Sequence, residues 1–154
     1  MEPATDERPQ PAGLLRRSGA LLYDGLLLLA VLMLATGLFL PFTGGEAVSP
    51  RDHPLLEFVY RGVLVLLTIG FFGIFWTRRG QTLGMASWRL QLEREDGGPL
   101  TWGDTVRRLA AALLSWLPFG LGYLWILIDP ERRAWHDRLS RTRVVVVPKA
   151  ARRS

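Results

Sequence analysis

With 154 residues and a net charge of +5, the chain amounts to one basic domain. It holds no cysteine, which excludes disulfides, thiolate metal sites and thiol chemistry. Hydrophobic residues make up 49% and charged ones 21%, yet the apolar residues come in long blocks. Surplus arginine in such a chain belongs at the cytoplasmic ends of membrane spans, against anionic headgroups, so the charge gives no reason to invoke nucleic acid.

Residues 1–12 are polar and proline-containing and read as a disordered leader. A secretory signal is not expected, because the apolar run that follows is longer than a signal core of about 7–15 residues. That run, residues 14–40, stays apolar after Arg17 except at Asp24 and is stopped by Pro41. At about 1.5 Å rise per residue it can cross a hydrocarbon core of roughly 30 Å. A carboxylate at the depth of Asp24 costs on the order of 2.5–3.5 kcal/mol on insertion scales and should face protein or water. Arg17 precedes it by two helical turns on nearly the same face, with Ala20 between them leaving that face uncrowded. The loop over residues 42–54 carries one cation, Arg51, and so is expected on the extracytoplasmic side.

A second span covers residues 55–77, with Arg61 near its start, Trp76 as an interfacial aromatic and Arg78 and Arg79 just beyond. Gly62, Gly70 and Gly73 allow close helix approach. Over residues 87–94 Trp88, Leu90 and Leu92 alternate with Arg89, Gln91 and Glu93, the pattern of a half-buried strand. Asp96-Gly97-Gly98-Pro99 is a turn, and Thr101 with Asp104 forms a capping-box variant that opens a helix carrying Arg107 and Arg108. Residues 109–128 are apolar and long enough to span, but Pro118, Gly120 and Gly122 break their middle. A valine run over residues 142–147 is a short strand by propensity, and residues 148–154 form a basic tail.

Cations fall three on the leader side, one in the first loop, six between the second and third apolar blocks and eight after Ile128. The first two spans therefore agree on a cytoplasmic amino terminus. If the third block crossed fully, the most basic segment would lie outside. If it bends back at Pro118–Gly122, that segment returns to the cytoplasm, and the two strand candidates can pair there. Charge and pairing favour return, with a plain third span as the alternative. The expected fold is an all-α membrane protein: two transmembrane helices, a third Pro/Gly-broken helical block and a small cytoplasmic β element.

Several groups of residues resemble the RDD family of bacterial membrane proteins, named for one arginine and two aspartates. They are Arg17-x-x-Ala20-x-x-x-Asp24, Gly80-Gln81-Thr82-x-Gly84-Met85, Arg108, and His136-Asp137 followed by Thr142-Arg143-Val144-Val145. The resemblance spans residues 13–147, taken as one membrane domain. Arg141 departs from it, since similar sequences often have glycine there. The resemblance implies a multi-pass protein of the bacterial inner membrane whose molecular role is mostly undetermined, with transport proposed and sodium/proton antiport associated with some members. It places the name's residues on Arg17, Asp24 and Asp137.

Two readings of Arg17 with Asp24 stay open. A membrane aspartate can exchange a proton for a cation, which would make this an ion site. Alternatively the two residues are a structural pair. They start roughly 10 Å apart along the helix axis, so contact needs an inward-reaching arginine or a third partner, for which Arg61 and Arg108 are candidates. The structural reading is the stronger, because one membrane carboxylate is little equipment for coupled exchange. His136-Asp137 reads as a cap or tether rather than a metal or acid–base pair, since a metal site commonly needs three or four ligands and His53 is expected on the opposite side. Gly80 to Gly84 lacks the lysine and spacing of a P-loop and reads as a tight turn. The six tryptophans suit interfacial anchoring and packing. No arrangement supports an enzyme, a cofactor or a metal. Expected partners are anionic lipid headgroups, Na+ or H+ under the transport reading, and a homo-oligomer or a larger membrane protein under the alternative of a non-catalytic scaffold.

Overall fold

The computed structural model describes residues 10–46 and 54–148. Most of the expected leader, residues 47–53 of the first loop with Arg51 and His53, and residues 149–154 of the basic tail lie outside the described residues.

Two long helices, α1 (Leu14–Phe39) and α2 (Pro54–Arg79), are each long and apolar enough to cross a membrane. Their burial is inverted relative to a water-soluble protein. Leu22, Met33 and Leu34 of α1 face outward while Arg17 and Asp24 are buried. An apolar surface of this extent is unstable in water and suits lipid, where polar groups turn inward to find partners. The far ends of the two helices meet through the hydroxyls of Thr36 and Tyr60, 3.0 Å apart.

After α2 the chain turns at Gly80 and forms a short helix, α3 (Leu83–Ser87), before strand β1 (Leu90–Arg94). The strand expected over residues 87–94 is therefore shortened at its start. Thr82 caps α3 by accepting from Met85 N at 3.2 Å, and Arg89, at φ 53°, separates helix from strand. Helix α4 (Trp102–Trp116) begins with the expected capping box: Asp104 N donates to Thr101 Oγ1 at 3.2 Å and Thr101 N to Asp104 Oδ2 at 3.0 Å. The chain then breaks at Leu117–Gly120 and continues as α5 (Leu121–Leu124) and a 3-10 turn to Leu127. The two halves of this block are bent by 107°, and Phe119 at the break is almost fully exposed. Proline and two glycines concentrate the bend there, as the sequence implies.

Helix α6 (Trp135–Ser140) leads into β2 (Thr142–Val146), which pairs antiparallel with β1 in the register Leu92↔Val144. Gln10–Ala12, placed in the disordered leader by composition, instead line the other edge of β2: Val146 N donates to Gln10 O at 2.8 Å and Ala12 N to Val144 O at 3.0 Å. An open strand edge is a row of unsatisfied backbone groups, and this segment supplies their partners. The core beneath the sheet gathers Ala12, Ala20, Trp76, Met85, Leu90, Leu92 and Val144. Of the three glycines expected to admit a close helix, only Gly73 does so, against the ring of Trp102, whereas Gly62 and Gly70 face open space.

Candidate functional site

Arg17 enters the interior one turn into α1. Its Nε donates to Ala12 O at 3.0 Å, Nη2 to Arg132 O at 3.0 Å and Nη1 to Asp137 Oδ2. Asp137 stands in the first turn of α6, where Oδ2 also accepts from Ala134 N at 3.0 Å and closes the helix start. Its Oδ1 lies 2.7 Å from Nη1 of Arg108, without accepting a well-aligned hydrogen bond. Arg108 comes from α4. Its Nη1 donates to Thr142 Oγ1 at 2.6 Å, and Thr142 in turn meets Ser140 Oγ at 2.7 Å. The guanidinium of Arg108 sits 5.6 Å from the centre of the Trp76 ring. Arg17, Arg108 and Asp137 are 5%, 6% and 0% exposed. One carboxylate thus ties α1, α4 and α6 together.

The electrostatics follow from this placement. Burial pushes the Asp137 carboxyl up, but the guanidiniums of Arg108 and Arg17 outweigh it and hold the group well below the usual carboxylate range. His136 lies with Nε2 3.6 Å from Asp137 Oδ1 and its ring stacked on Tyr123. Burial and the neighbouring Arg108 push its imidazole down to about 3, so it is neutral at pH 7.

Asp24 is not part of this cluster. Its Oδ1 accepts from Gly84 N at 2.8 Å and its Oδ2 from the Thr82 hydroxyl, both at the start of α3. Gly84 is required for that approach, because a Cβ there would overlap Ala20 O and the Asp24 carboxyl carbon. Direct Arg17–Asp24 pairing, open in the sequence, is thus replaced by Arg17–Asp137. The two α1 side chains are separated along their own axis, while α6 brings Asp137 level with Arg17. Arg61 is no partner either: it pairs with Glu57 one turn away and its side chain is mostly exposed. Gly80, at φ 66°, makes the expected turn, its carbonyl accepting from Leu92 N at 2.6 Å.

Between these groups lies a cavity of about 140 Å³. Asp24, Arg17, Arg108, His136, Trp76 and Tyr123 reach its wall, and the rest of the lining is mostly apolar. Trp76 Nε1 and His136 Nδ1 are buried without a hydrogen-bond partner among the described residues. No group of His, Cys, Asp or Glu that could hold a metal occurs among the described residues. Sequence reasoning missed Thr82 and Thr142 as partners of the charged residues, although both stand in the quoted motifs. It also gave Trp76 an interfacial place, whereas the ring is 7% exposed and packs under Arg108.

Searches among curated proteins and among solved structures returned no match. The model of the RDD family matches residues 11–141, which include Arg17, Asp24, Arg108 and Asp137. Together with the two apolar helices this points to a membrane protein, and the chain belongs to the RDD family.

Proposed function

We propose that this chain is a multi-pass protein of the bacterial inner membrane that carries protons through Asp24, with Arg17, Asp137 and Arg108 as a fixed lock around the path. The carrying observation is the placement of Asp24: a buried carboxylate on a cavity wall, held among the described residues only by the neutral donors Thr82 and Gly84. A carboxylate without a bound cation is free to gain and lose a proton, whereas one clamped by two guanidiniums is not. Sodium is the weaker candidate, because hard cations gather about six oxygen ligands and among the described residues only Asp24 and Thr82 supply side-chain oxygens at this point.

Pairing supports an orientation. Gln10–Ala12, β1 and β2 adjoin one another and so lie on one side of the membrane. The block between β1 and β2 must then leave and return, which its 107° bend allows. Arg78, Arg79, Arg89, Arg107, Arg138 and Arg141 share that side, making it cytoplasmic by the positive-inside bias. A cytoplasm-sensitive reporter fused after Ser154 then signals inside; a periplasmic signal would overturn this orientation. Exposed Arg78, Arg79 and Arg89 form no ion pair among the described residues and suit anionic headgroups, which favours a membrane scaffold as the second reading.

The deciding experiment is proton flux into sealed vesicles holding the wild type or Asp24→Asn. Loss of flux in a variant that still folds supports proton carriage. Equal flux in the two removes it and leaves the scaffold.

A further inference from the structure

We propose that the cavity binds a small organic acid as its carboxylate, an apolar body with one anionic head, and that a proton settles on Asp24 as the acid enters. This rests on Asp24 as the proton site and names what travels with the proton.

The groups facing the cavity come from every element around it. Helix α1 supplies Arg17 and Asp24, α4 supplies Arg108, α5 supplies Tyr123, and α6 supplies His136 with Asp137 behind it. The residues of α2, α3, β1 and β2 on the wall, among them Trp76 and Met85, carry no charge. His136 is neutral, and a phenol is neutral at pH 7. With Asp24 ionised, two guanidiniums therefore face two carboxylates. No guanidinium among the described residues touches Asp24, whose partners are Thr82 and Gly84. Once it holds a proton, however, the cavity wall as a whole carries one positive charge in excess, an imbalance that has a cost in a desolvated site. An anion in the cavity removes that cost. Proton and anion thus favour each other.

The hydrogen-bonding groups agree with this. Among the described residues Arg108 makes its polar contacts from Nη1, which leaves Nε and Nη2 for a second carboxylate. A carboxylate offers an acceptor to each of these nitrogens and balances the charge, which a water molecule cannot do. The apolar remainder of the wall, including Phe72 and Leu109, suits a hydrocarbon body. The volume of about 140 Å³ is close to the roughly 150 Å³ of an engineered cavity that takes up benzene.

Benzoate is the probe, titrated into the full chain in detergent micelles in weak buffer, with benzyl alcohol and chloride as controls. The expected result is benzoate binding with uptake of about one proton per ligand, the affinity falling about tenfold per pH unit above the Asp24 titration. Asp24→Asn, fixed in the neutral form, is expected to bind benzoate without proton uptake and with no such pH dependence. The inference is overturned if wild type binds no benzoate at any concentration the micelles tolerate. It is equally overturned if benzyl alcohol binds as well, or if benzoate binds with no proton uptake. Absent benzoate binding beside proton flux that Asp24→Asn abolishes would sink this inference and leave proton carriage standing. Flux unchanged in Asp24→Asn would remove proton carriage itself.

Discussion

Asp137 and Asp24 are both almost wholly buried, at 0% and 3% exposure, and their surroundings differ in kind. Asp137 lies between two guanidiniums and a backbone N–H. Asp24 has a hydroxyl and a backbone N–H. The first arrangement fixes a charge and with it the mutual position of three helices. The second holds a side chain in place without holding its charge. The largest expected effect tests this contrast directly. Asp137→Asn leaves two buried guanidiniums facing no anion, and loss of one partner from such a cluster typically costs about 3–5 kcal/mol. Asp24→Asn breaks no ion pair among the described residues and keeps a carbonyl acceptor, so its chief cost is that of a weakened hydrogen bond, about 0.5–1.5 kcal/mol. Unfolding in detergent should separate the two variants clearly, and Arg17→Gln added to Asp137→Asn should regain part of the loss. Equal losses in the two single variants would break the comparison, because Asp24 would then also be a lock.

A smaller effect appears as pH dependence. Asp137, held below the ordinary carboxylate range, contributes stability that is present above an unfolded value near 4 and is lost as pH falls toward its native one. His136 acts earlier. Its native value is pushed down to about 3, while an unfolded imidazole takes up a proton near 6.5. Below about pH 6.5 the unfolded state therefore binds a proton that the native state refuses, and stability falls with pH by up to about 1.4 kcal/mol per unit. His136→Gln removes this term. Its melting temperature is expected to be flat between about pH 6 and 5, where the wild type slopes downward. Equal slopes in the two proteins would mean that the lock tolerates a charged imidazole.

Much of the fold is written in local pattern. The lengths of α1 and α2, the Thr101–Asp104 cap, the break at Pro118–Gly120 and the pairing of β1 with β2 all follow from periodicity, capping chemistry and proline sterics. The partners of the buried charges do not. Asp24 and Arg17 share a helical face, but which of them meets Asp137 depends on where α6 docks, more than a hundred residues along the chain. The strand start at Leu90 was hidden for a related reason: Trp88 fits the alternation of the strand, yet Thr82 caps a turn of helix through Ser87 that periodicity cannot see. Gln10–Ala12 have a leader's composition and acquire order from the open edge of β2.

The smallest effect concerns the joint between the two ends of the lock. Arg141 lies between Asp137 and Thr142, ends α6 and has φ 53° and ψ 41°. That left-handed conformation costs an L residue about 1–2 kcal/mol, because its Cβ crowds the following carbonyl. Glycine has no Cβ and adopts it freely, at the expense of greater freedom in the unfolded chain. The guanidinium of Arg141 is exposed and forms no ion pair among the described residues, so little is lost with it. Arg141→Gly is therefore expected to raise stability by about 0.5–1 kcal/mol, seen as a higher melting temperature in detergent. Arg141→Ala keeps the Cβ and the strain, and should show no gain. If both variants melted higher, removal of the arginine side chain and not relief of the backbone would be the cause. If Arg141→Gly gained stability and also changed proton flux, the joint would be coupled to Asp24, and the separation between a fixed lock and an independent carboxylate would have to be withdrawn.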